Sequence, residues 1–117
     1  MKKITILLAV LLATIDIAYA KPPKKVTVSF TVQGTCNMCK ERIENALDKP
    51  GISKAKYNPS SETVTVTYNP RKLEEIQLHN LVAIAGHDTD KVKAGDQAYE
   101  NLPDCCKYRE GVKCDHD

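Results

Sequence analysis

The spacing of apolar and polar positions changes period several times along the chain, and each change marks an element. Over residues 26–32, Val26, Val28, Phe30 and Val32 alternate with Thr27, Ser29 and Thr31. Period-two alternation of β-branched residues predicts a half-buried strand. A loop follows over 33–37. Cys39, Ile43, Ala46 and Leu47 then recur at helical spacing, with Lys40, Glu41, Arg42, Glu44 and Asn45 on the wet side. Pro50-Gly51 stops that helix. Residues 52–57 and 62–68 predict two strands, joined into a hairpin by the turn cluster Asn58-Pro59-Ser60-Ser61. Asn69-Pro70 reads as an N-cap followed by proline at the first helical position. The predicted helix runs to about residue 85, with Leu73, Ile76, Leu81 and Ile84 inward, although Leu78 and Val82 blur the stripe. Gly86 supplies its C-terminal stop. A short last strand over 90–94 and a helical turn over 96–102 complete the pattern. The order β-α-β-β-α-β predicts an α+β, ferredoxin-like sandwich, with two helices on one face of a four-stranded antiparallel sheet.

The first residues do not belong to that pattern. Lys2 and Lys3 precede an apolar run over 4–15, and Ala18-Tyr19-Ala20 places small residues where a processing enzyme cuts. This is the grammar of a secretory signal peptide, and the run falls short of the roughly 20 residues a spanning helix needs. The expected organisation is a signal peptide over 1–20, a leader over 21–25, a domain over 26–95 and a cysteine-bearing extension over 96–117. Cleavage after Ala20 leaves an exported chain, periplasmic in a bacterium, with no stable membrane insertion.

Composition removes several classes of function. The formal net charge is +2 and tryptophan is absent, which excludes the basic footprint and stacking platform of a nucleic-acid binder. No Ser/His/Asp set, paired acid cleft or glycine-rich phosphate loop is apparent, so an enzyme of those classes is not expected. Five cysteines in an exported chain cannot all pair internally, so at least one is a thiol, a metal ligand or an intermolecular partner.

The chemistry concentrates in Gly34-Thr35-Cys36-Asn37-Met38-Cys39, between the first strand and the first helix. Cys36 and Cys39 at a helix start can aim two sulfurs at one point. The unpaired N–H groups and the helix dipole there favour thiolates, the ligating form. Two soft sulfurs select soft cations: Cu(I) is favoured, with Hg(II) or Zn(II) as alternatives. A two-thiolate site also leaves the cation open to a third thiolate, which permits transfer. The spacing alone also admits a structural disulfide or a thiol-disulfide redox pair.

Residues 26–94 resemble a heavy-metal-associated domain, the family of copper chaperones, copper-pump N-terminal domains and the periplasmic mercury-binding protein. The resemblance rests on Gly-Thr-Cys-Asn-Met-Cys and the helix after it, Pro50-Gly51-Ile52, the strand Glu62-Thr63-Val64-Thr65-Val66, and Ala85-Gly86-His87-Asp88. It implies that Cys36 and Cys39 hold the metal and that the partner is a membrane metal transporter or another metal-binding domain. Two positions depart from the family pattern. Gly34 stands where a methionine usually packs under the loop, which predicts a loop less tightly anchored. His87 stands where tyrosine or phenylalanine is usual. The family places that residue beside the metal loop, so His87 is a candidate third ligand or a tuner of the sulfurs; the plain alternative is a solvated loop histidine.

The extension resembles tails on some exported relatives of this family. Cys105, Cys106, Cys114 and His116 lie close in sequence, and three arrangements are open. They could form a second soft-metal site, or Cys105 or Cys106 could bond Cys114, or a tail thiol could join the main site to complete a three-sulfur set. The function expected is binding of one soft cation and its transfer or sequestration, not catalysis. A redox protein working through Cys36 and Cys39, or an adaptor with structural disulfides, is the alternative.

Overall fold

The computed structural model describes residues 23–111. The expected signal-peptide segment, Cys114 and His116 lie outside the described residues. Strand β1 spans Val26–Thr31, helix α1 Asn37–Ala46, strand β2 Ile52–Asn58, strand β3 Thr63–Tyr68, helix α2 Glu75–Ile84 and helix α3 Asp96–Glu100. Two 3₁₀ turns follow, Asp104–Cys106 and Tyr108–Glu110. Among these residues, no helix is long and apolar enough to cross a membrane.

The alternation read from the sequence sets the sheet. β3 lies between β1 and β2 and is antiparallel to both. The register sets Phe30 opposite Val64 and Val28 opposite Val66 on one side, and Tyr57 opposite Val64 on the other. A one-residue slip would turn these apolar side chains to solvent, so burial of one face fixes the pairing. That face meets Ile43 and Leu47 below α1 and Leu78 and Val82 on α2, all fully buried. The opposite face is polar, with Thr27–Thr67 and Ser29–Thr65 hydroxyl pairs across the strands.

Three details differ from the sequence-based expectation. The described sheet has three strands, not four: residues 90–94 form no strand, and only an isolated bridge, Val32 with Thr89, touches the edge of β1. The reason is local. Thr89 Oγ1 accepts the N–H groups of Val92 at 2.9 Å and Lys91 at 3.2 Å, and Asp88 Oδ1 accepts that of Ala94 at 2.7 Å. Side chains thus take the amides a ladder would have used. Second, α2 begins at Glu75 rather than after Asn69, because Glu74 and Gln77 form a reciprocal capping box. Third, its inner face is Leu78, His79, Val82 and Ala83, while Ile76 and Ile84 are exposed. His79 disguised that face. It is fully buried, stacked on Phe30 at 3.9 Å between ring centroids, with Nδ1 2.7 Å from Thr89 Oγ1.

Candidate metal centre

The cysteine loop leaves β1 and turns into α1 with Cys36 as the extended N-cap residue. Its carbonyl accepts the Lys40 N–H at 3.0 Å, closing the first helical turn. Cys39 sits one turn into the helix, on the inward face with Ile43. Both sulfurs therefore gather where the first N–H groups of α1 lack helical partners, an electropositive setting that favours thiolate.

The loop is anchored from below, contrary to the expectation drawn from Gly34. Tyr57 is fully buried, and its hydroxyl donates to the Val32 carbonyl at 2.8 Å. A Cβ built on Gly34 would stand 2.8 Å from that hydroxyl and 3.4 Å from Cys39 Cβ. The phenol of Tyr57 thus lies under the loop, and only glycine lets the backbone come this close. Burial, and secondarily Glu62, holds the Tyr57 hydroxyl protonated well above its ordinary range.

The extension supplies a third sulfur. The Sγ atoms of Cys36, Cys39 and Cys106 all lie within 4.8 Å of one another, and all three residues are buried. Cys39 and Cys106, 67 residues apart in sequence, are joined as a disulfide, with Cα atoms 5.9 Å apart. Cys106 therefore pairs with the loop and not with Cys114. Cys36 is also disulfide-bonded. Two-electron reduction of each of these bonds, by thiols that become a disulfide or by a phosphine that becomes its oxide, leaves three thiols at one point, a donor set that fits a soft cation. Cys105 points elsewhere: its Sγ donates to Met38 Sδ at 3.3 Å, on the outside of the loop. Thr35 links the two segments. Its hydroxyl donates to the Cys105 carbonyl and lies 3.3 Å from Cys39 Sγ.

His87 is not a solvated loop residue. It is fully buried, with Nδ1 2.7 Å from the Gln33 carbonyl oxygen. A carbonyl only accepts, so Nδ1 carries the proton. Burial lowers the imidazole pKa, against the pull of the Gln33 carbonyl, and the ring is neutral near pH 7. Nε2 is buried with no hydrogen-bond partner. The nitrogen is not part of the three-sulfur group among the described residues; the ring instead stacks on Tyr108 at 5.6 Å.

Sequence reading missed the contacts that seat the extension. The Tyr108 hydroxyl donates to the Gly86 carbonyl at 2.7 Å and accepts the Asp88 N–H at 2.9 Å. Arg109 grips Asp88 with two nitrogens, at 2.7 and 3.2 Å, and donates to the Ala94 carbonyl at 2.8 Å. Burial alone would raise the Asp88 pKa; Arg109, the Ala94 N–H and the Tyr108 hydroxyl outweigh it, and the carboxyl stays below its ordinary range. Tyr99 lies edge-on to Tyr108 at 5.1 Å, with the Arg109 guanidinium 4.4 Å from its centroid. Gly86, with φ of 106°, allows Leu102 to pack against its bare backbone. The one legible signal was the aromatic and basic run after Pro103, which had no role in the domain pattern.

A small α+β domain with cysteines converging at a helix start defines a soft-metal-binding protein class. The family profile described as the heavy-metal-associated domain matches residues 29–88, and the chain belongs to that family. It is 40% identical over 60 residues to the copper-exporting P-type ATPase of Bacillus subtilis (strain 168), covering 50% of this chain and only 8% of that protein. It is also similar to the CopZ metallochaperone, at 27% identity and a TM-score of 0.53, over 55% of this chain and 98% of that one. Oxidised MerP from Ralstonia metallidurans CH34 matches at 28% identity and a TM-score of 0.54, over 56% of this chain and 94% of that one.

Proposed function

We propose that the protein binds one soft metal ion, Cu(I) before Hg(II) or Zn(II), through Cys36 and Cys39, and carries or sequesters it without catalysing a reaction. The observation that carries this reading is the convergence of the two sulfurs at the N-terminus of α1, where thiolates are favoured. Thiolates are matched to soft cations, and a relative named as a copper exporter is 40% identical to this chain over 60 residues. The signal-peptide grammar of the first 20 residues supports a periplasmic location. There its donor or acceptor is a membrane metal transporter or another metal-binding domain.

The test is anaerobic titration of the reduced protein with Cu(I), Hg(II) and Zn(II), beside a Cys36→Ser/Cys39→Ser variant. The expected result is uptake of one ion, tightest for Cu(I) and Hg(II), and its loss in the variant. Uptake indifferent to both serines contradicts the reading.

The Cys39–Cys106 pairing favours one second reading, thiol-disulfide exchange with a partner. Burial of all three sulfurs opposes it, since exchange requires an attacking thiolate to reach a sulfur. Catalysed reduction of insulin by the protein, abolished by Cys39→Ser, would establish that reading in place of the first.

A further inference from the structure

We infer that the C-terminal extension is part of the metal site: Cys106 is a third thiolate ligand, and the extension is a cover that retains the bound cation. This rests on the metal-binding reading above and deepens it.

Three observations meet at this point. The first is distance. A cation about 2.3 Å from each of three sulfurs in a plane sets those sulfurs about 4 Å apart, and the three Sγ atoms here lie within 4.8 Å of one another. The second is burial. Cys36 is 3% exposed and Cys39 and Cys106 are 0% exposed. A loop built only to hand over its ion would keep sulfur open to a partner's thiolate. This loop is closed by the 3₁₀ turn that bears Cys106. The third is the way the turn is held. Thr35 clasps the Cys105 carbonyl from the cysteine loop, and Tyr108 and Arg109 fasten the next turn to Gly86 and Asp88. These contacts hold the cover in addition to the Cys39–Cys106 bond.

Two properties follow. Loading requires the reduced state, because the Cys39–Cys106 bond and the bond held by Cys36 must each first take two electrons, from thiols that become a disulfide or from a phosphine that becomes its oxide with water supplying the protons. Release requires Cys106 to leave first, since it alone of the three ligands sits on a segment outside the domain. A partner thiolate then takes its place on the cation, as in any associative ligand exchange.

The experiment uses the full chain, reduced with a phosphine and loaded anaerobically with one equivalent of Cu(I). X-ray absorption counts the sulfur ligands, and a Cu(I)-specific chelator measures the rate of withdrawal. The wild type is expected to show three sulfurs. Cys106→Ser is expected to show two, and to lose Cu(I) at least roughly tenfold faster, as befits loss of a ligand where even an outer-shell loss costs that much. Cys105→Ser and Cys114→Ser are expected to keep three sulfurs. Arg109→Ala keeps every sulfur and loosens only the cover, so it is expected to retain three ligands and still release Cu(I) faster. Two sulfurs in the wild type, or an unchanged count in Cys106→Ser, overturns the inference while leaving the Cys36/Cys39 reading intact. Unchanged withdrawal in Arg109→Ala overturns the role of the extension as a cover. Uptake insensitive to serines at both Cys36 and Cys39 defeats the parent reading as well.

Discussion

The domain and its extension are held together by different physics. In the domain, three hydrogen-bonded strands and two helices bury a shared apolar face, from Phe30 and Val66 to Ile43 and Val82. Its stability is spread over many contacts that follow from periodic sequence. Among the described residues, the extension has one five-residue helix and two 3₁₀ turns. It is seated chiefly by discrete polar and aromatic contacts: Arg109 on Asp88, Tyr108 on Gly86 and Tyr99 against Tyr108. Cooperative burial makes the first region all-or-none, whereas the second, once the Cys39–Cys106 bond is reduced, is held by a few side chains, among them Tyr99 and Leu102 at the edge of the same core. A metal site shared between them inherits a rigid half, Cys36 and Cys39, and a detachable half, Cys106.

The largest predicted effect breaks the rigid half. Ile43→Ala removes a fully buried side chain beneath the cysteine helix and is expected to cost about 2–5 kcal/mol. Urea unfolding measures it, and the transition should shift for domain and extension together. Gly34→Met comes next. It restores the residue usual in the family, yet its Cβ would meet the Tyr57 hydroxyl at 2.8 Å. Overpacking of this kind costs about 1–3 kcal/mol, and Tyr57→Leu in the same chain should relieve part of it in a double-mutant cycle. An additive cycle would show that the phenol does not occupy the methionine's place.

The smallest effect is in pH. Burial lowers the pKa of His79, against Asp90 and Glu75 and together with Lys91, and burial likewise lowers that of His87. On acidification the unfolded chain takes up these protons before the folded one. The stability from the neutral rings is thus fully present above about pH 6.5 and is lost progressively as pH falls below it. Urea midpoints measured downward from pH 7 should fall, and His79→Gln should flatten the slope. Because His79 packs in the domain and His87 against the extension, a slope that survives the His79 change reports on the cover.

The strands and the first helix were legible because a regular period carries them: alternation over 26–32 and 62–68, and helical recurrence from Cys39 to Leu47. The cysteine loop was legible as a candidate site because its two sulfurs share a helix start. What failed did so where side chains replaced a periodic signal. His79 hid the inner face of α2 by being polar and buried. Thr89 and Asp88 took the amides of the expected fourth strand. Tyr57 filled the gap under Gly34 from a strand 23 residues away in sequence, a contact no local pattern encodes. The Thr35–Cys105 bond joins residues 70 positions apart. For that reason the meeting of Cys106 with the loop stood among three open arrangements and could not be chosen from sequence.

The most direct measurement of the central claim is native mass spectrometry of the reduced chain after anaerobic addition of Cu(I). A single copper adduct that vanishes when Cys36 and Cys39 are both replaced by serine is the predicted result. An adduct that persists in that variant, or a reduced wild-type chain that takes up no copper, would contradict it.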